Sequence, residues 1–202
     1  MYKKQLGLQK IACYLAVISS AIWFLYSMGM ITDIYDALYY TMQNPNDLTE
    51  TLVPGSIVYY DMQDFNKLFT NASIGLILLG CLLFLTNTHN RRKYYIGNYV
   101  STGLYCVASL GMAIWSHIQI SAFKTQFLET VDFEALKTWS EMFTSIKYTE
   151  STFLLDLHLA VAAISILSVA VMVGNLIWKI SLMRGEQQLI ASSAETGKEA
   201  VI

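Results

Sequence analysis

Residues 157–178 read LHLAVAAISILSVAVMVGNLIW, twenty-two consecutive positions without Asp, Glu, Lys or Arg. At 1.5 Å per residue, a helix of that length reaches about 33 Å, enough to cross a bilayer core of about 30 Å. Three further stretches, 11–32, 68–90 and 94–123, are equally free of charge, and together the four make up nearly half of the 202 residues. Charged residues form only 14% of the chain, against about 25% in a typical soluble domain. A soluble enzyme, a nucleic-acid-binding domain and a disordered chain are excluded.

The pattern predicts an all-α integral membrane protein with four transmembrane helices over about 11–32, 68–88, 96–120 and 152–178. These form one membrane domain, 1–184, with longer connections at 33–67 and 121–151. The small, polar composition from Gly185 onward predicts a flexible cytoplasmic tail over 185–202. Of the 13 Lys and Arg, nine fall beside the same face of these spans (Lys3, Lys4, Lys10, Arg91, Arg92, Lys93, Lys179, Arg184, Lys198) and four beside the other. The positive-inside rule then places both termini in the cytoplasm of a bacterial cell, the protein being multi-pass in the cytoplasmic membrane. The basic start and apolar first span resemble a signal peptide, but Thr32, Asp33, Ile34 and Tyr35 offer no small-x-small cleavage site, so a retained anchor is expected.

Cys13, Cys81 and Cys106 all fall within spans, leaving the outer connections without a disulfide framework. Cys-x-x-Cys quinone oxidoreductases and tetraspanin-like or claudin-like proteins are disfavoured accordingly.

Both outer connections exceed the usual 2–8 residues between bundle helices and predict a small helical extracytoplasmic cap. Phe133, Leu136, Trp139, Phe143 and Ile146 recur at helical spacing, with Lys137 within reach of Glu134 and Glu141. In the first connection, Asp33 to Tyr40 continues the preceding helix until Asn44-Pro45-Asn46-Asp47 breaks it, and Pro54-Gly55 makes a second turn. Val58, Met62, Phe65 and Phe69 then run at helical spacing into the second span. Tyr35, Tyr39, Tyr59, Tyr60, Phe65, Phe133, Leu136, Trp139 and Phe143 are candidate partner contacts. Aromatic side chains with few central charges typify protein interfaces, although the same residues suit an interfacial belt, a cap core or a small-ligand pocket.

Ionisable residues inside spans are functional candidates. They are His117 late in the third span and Asp156 and His158 early in the fourth. The third span runs outward and the fourth inward, so the two histidines can lie at one depth, where they could ligate a haem iron. Asp156 and His158 are about 200° apart around their helix, so His117 can meet one but not both. Asp156 also suits a helix start. No His-Glu-x-x-His, phosphate-binding loop or Gly-x-Ser-x-Gly occurs, and no catalytic residue, metal site or resident cofactor is expected. Small residues at close-packing spacing (Ala12, Ala16 and Ser20; Gly103 and Gly111; Ala170 and Gly174) suit helix contact within the bundle or with a partner.

Residues 85–99 (LTNTHNRRKYYIGNY), 132–137 (DFEALK) and 148–152 (YTEST) resemble a group of small four-helix membrane proteins of Gram-positive bacteria that accompany carbohydrate ABC importers. The resemblance implies a non-catalytic accessory subunit in a hetero-oligomer with permease subunits or a substrate-binding protein, besides contact with membrane lipids. The residues themselves leave open a haem-binding electron-transfer subunit and a standalone extracytoplasmic ligand sensor.

Overall fold

In a computed structural model, residues 2–41, 52–88, 96–142 and 150–199 are described, the side chains of 2, 35, 88 and 191–199 excepted. Five helices follow one another: α1 (Tyr2–Thr41), α2 (Val58–Thr88), α3 (Ile96–Thr130), the short α4 (Phe133–Met142) and α5 (Phe153–Glu199). The four long helices pack in a ring, α1 on α2, α2 on α3, α3 on α5 and α5 on α1, in up-down-up-down order. Both ends of the described chain therefore lie at one end of the bundle, and α4 lies at the other.

Among the described residues, four helices are long and apolar enough to cross a membrane. Large apolar side chains face outward from Ile11 to Met28 on α1, Leu68 to Leu85 on α2, Ile96 to Ile118 on α3 and Leu159 to Ile177 on α5. These intervals correspond to about 26–33 Å of helix, the thickness of a hydrocarbon core. Within the belt, polar groups turn inward: Ser19, Ser20, Ser27, Ser73, Ser109, Ser116, Ser165 and Ser168 are all buried. Such an apolar outside around a partly polar inside is stable in lipid, where small and hydrogen-bonding residues join helices.

The long helices continue beyond the belt, because neither α1 nor α2 meets a helix breaker at its edge. Ser20, Ala16 and Ala12 are fully buried against the neighbouring helices. Gly80 of α2 lies beside α1, where an added Cβ would stand 3.3 Å from Ser20 Oγ. The other small-residue pairs turn outward: Gly103, Gly111, Ala170 and Gly174 are exposed, and an added Cβ at any of the three glycines would meet nothing within 4 Å.

At the α4 end, the two connections are fastened together. The Asp132 amide donates to the Pro54 carbonyl at 3.0 Å, and Leu52 donates to Thr41 at the end of α1 at 2.6 Å. Gly55 has φ +80°, and a Cβ there would lie 1.9 Å from the Thr130 carbonyl oxygen, so this turn admits only glycine. Asp132 caps α4 by accepting from the amides of Glu134 and Ala135 at 3.1 and 3.0 Å. Its one fully buried side chain is Leu136. Lys137 makes no ion pair with Glu134 or Glu141. Phe143, Ile146 and the Asn44–Asp47 break lie outside the described residues. Beyond Gly185 the backbone stays helical to Glu199, where composition predicts a disordered tail. Gln, Leu, Ala and Glu there are good helix formers, so a helix already nucleated can run on.

Candidate functional site

His117 and His158 meet between α3 and α5. Nδ1 of His117 lies 3.0 Å from Nε2 of His158, and the rings stack with centroids 5.3 Å apart. His158 is buried and its Nδ1 also bonds the Leu155 carbonyl one turn earlier. A carbonyl can only accept, so Nδ1 of His158 carries a proton. In the neutral pair, Nε2 of His158 then accepts from Nδ1–H of His117, which leaves Nε2 of His117 with a bare lone pair. Ser121 Oγ stands 3.4 Å from the same Nδ1 of His117.

Asp156 turns to a different partner, as its offset around α5 requires. Its carboxylate accepts from Lys124 of α3 at 2.5 Å and from Thr152 at 2.8 Å. Both charged side chains are partly exposed, at 32% and 43%. Further bonds tie the helices at this level: Tyr26 donates to the Leu154 carbonyl at 3.1 Å, and Gln126 to Asp61 at 2.8 Å.

Haem ligation by the two histidines does not fit this arrangement. Imidazoles on opposite sides of one iron hold their nitrogens about 4 Å apart, twice a metal–nitrogen bond of about 2 Å. Here the nitrogens bond each other directly, and the other nitrogen of His158 is occupied by Leu155. Among the described residues, no group of three His, Cys, Asp or Glu is placed to hold a metal ion.

The aromatic candidates divide by the face on which they stand. Tyr39 and Tyr60 are exposed, at 53% and 40%. Tyr59, Phe65 and Leu136 are buried and leave the contact set. The reason is the register of α2: Val58, Met62, Phe65 and Phe69 form the inward stripe, which Tyr59 joins at its edge. Tyr59 packs edge-on to Phe127, and Phe127 edge-on to Phe133. Phe133 and Trp139 are half-buried against the core. The Tyr35 side chain and Phe143 lie outside the described residues. Exposed apolar side chains that aromatic composition did not single out, Leu52, Leu128 and Met142, join Tyr39, Tyr40 and Tyr60 on the surface of this end.

A buried polar layer for which no charged residue in the spans gave a sign stands near the opposite end. Gln5 donates to Gln9 at 3.2 Å and to Asn175 at 3.1 Å, while Gln9 donates to the Asn87 carbonyl at 2.5 Å. Asn87 reaches Ser101 at 3.4 Å, and Ser101 bonds Thr86 at 2.9 Å. Lys179 is buried, its ammonium 5.7 Å from the centre of the Tyr99 ring. Four helices thus share one layer. Its signal was present: Gln5 and Gln9, and likewise Asn175 and Lys179, stand four apart and so share a helix face.

No family model, curated protein or solved structure matches this chain. Its chemistry must therefore be argued from the side chains. They provide two interhelical polar layers and one exposed aromatic rim.

Proposed function

We propose that the chain is a non-catalytic accessory subunit of a membrane transport complex, a carbohydrate ABC importer by its sequence resemblance. In this reading both termini face the cytoplasm, and the α4 end forms an extracytoplasmic cap. The charge asymmetry supports that orientation. The permease or its substrate-binding protein would dock on the spans and on the cap rim.

The observation that carries the reading is the unfilled outer surface. Gly103 and Gly111 of α3 and Gly174 of α5 face outward with open space beside them, at positions where another helix can approach closely. Above the belt, Tyr39, Tyr40, Tyr60 and Met142 expose apolar surface around a cap whose own core is already filled.

Affinity purification in a mild detergent, with identification of the accompanying chains, tests the proposal. Permease subunits should co-purify, and Tyr39→Ala with Tyr60→Ala should weaken their retention without impairing membrane insertion. Recovery of the protein alone, with sugar uptake unchanged by its deletion, would count against it.

A further inference from the structure

Between α3 and α5, the outer surface of the bundle has a groove of about 350 Å³ with one polar end. Leu110, Ala113 and Ile114 line one wall and Ala162, Ala163 and Ile166 the other, with His117 also in the lining. The groove opens on the apolar belt, since Ile114 and Ile166 are largely exposed. From Leu110 to His117 is about 10 Å along α3, and the imidazole stands at the end toward α4. Polarity therefore falls from the belt's edge toward its middle, in the same order as in a lipid of one leaflet.

The imidazole also selects the headgroup. In the neutral pair, the proton on Nδ1 of His117 is committed to His158, whose own Nδ1 proton is committed to Leu155. Nε2 of His117 is left as an acceptor at the edge of hydrocarbon, where an unmet polar group is costly. Choline and ester groups cannot donate to it, and an ethanolamine ammonium stands farther out in the headgroup layer, whereas a hydroxyl at the glycerol level can donate at the depth of the ring. The small side chains of Ala113 and Ala162 leave room for one chain beneath that hydroxyl.

We propose that this groove is a binding site for a membrane lipid with a free hydroxyl at the glycerol level. Its O–H donates to Nε2 of His117, and one acyl chain lies along Ala113 and Ala162. The site is independent of the transport assignment, because it requires only the α3–α5 pair in a bilayer.

The test uses the full chain in phosphatidylcholine nanodiscs and two photoactivatable monoacylglycerols, one with free hydroxyls and one with both hydroxyls methylated. The hydroxyl probe should label peptides containing Leu110–Ile118 and Leu159–Ile166 about threefold to tenfold more than the ether, as expected for one net hydrogen bond. His117→Phe, which retains a ring, should abolish that preference, and Ala162→Leu should reduce labelling by both probes. Equal labelling of the unaltered protein by the two probes would overturn the proposal and reveal ordinary boundary lipid. Crosslinking of the groove to a second copy of the chain, in place of the probe, would also overturn it. The two-probe comparison needs no variant, so misfolding of a variant cannot obscure the answer.

Discussion

Trp23, Tyr26, Phe65, Phe69, Trp115 and Phe123 meet in one cluster of rings in the half of the bundle toward α4. In the half toward the termini, the corresponding interior holds Gln5, Gln9, Asn87, Asn175 and Lys179. Both layers stand near an edge of the apolar belt and both join several helices, yet they do so by different physics. Rings bury area and interlock whatever the solvent outside, and where the helices emerge into water the hydrophobic effect adds to that. Amides in a bilayer are bound together strongly only if separation would leave them without partners, and in lipid they often find others. The ring layer should therefore carry the stability of the fold, and the amide layer its register.

The largest expected effect is at the centre of the rings. Phe69 is fully buried and touches Trp23, Tyr26, Phe65 and Trp115. Phe69→Ala should cost about 3–5 kcal/mol, measured by reversible unfolding in detergent. Just beyond that layer, Gly55→Ala must strain a left-handed turn and displace the Thr130 carbonyl. A loss of about 2–4 kcal/mol is expected, with freer proteolysis between α3 and α4. Gln9→Leu removes bonds to Gln5 and Asn87 but leaves an apolar side chain in their place, so about 0.6–1.7 kcal/mol is expected. If Gln9→Leu destabilised the protein as much as Phe69→Ala, the contrast between the layers would fail. Lys124→Met should have the smallest effect, one that added salt reduces further, because its pair with Asp156 is partly exposed.

The spans were legible because charge is excluded from a belt of fixed thickness, and a gap such as 157–178 has few other causes. The approach of His117 to His158 was legible as well, from the alternating direction of the helices. The outer ends of α1 and α2 were legible too, from the run Asp33 to Tyr40 and from the spacing of Val58, Met62, Phe65 and Phe69, but the ends of α3 at Thr130 and α5 at Glu199 were not. Hydropathy falls where a helix leaves the bilayer, and α3 and α5 leave it without stopping. The direction faced by Tyr59 and Phe65 was hidden for a related reason: composition marks a segment as aromatic, whereas the choice between core and rim depends on the neighbouring helix. Asn175 escaped notice because a neutral amide leaves a charge-free stretch unbroken, and Gln5 and Gln9 because they stand among Lys3, Lys4 and Lys10 before the first such stretch, although their burial required partners. The outward turn of Gly103, Gly174 and their neighbours followed from packing order, which spacing alone does not determine.

The account rests on a lipid-facing belt that ends before the α4 end begins. Spin labels placed singly at Leu78, Val107, Leu167, Tyr60 and Met142, in a Cys13→Ala, Cys81→Ala, Cys106→Ala background in liposomes, test this most directly. Labels at Leu78, Val107 and Leu167 should relax with oxygen and ignore a water-soluble nickel chelate, while those at Tyr60 and Met142 should respond to the chelate. Chelate access at the first three positions, or oxygen-only access at the last two, would contradict the account.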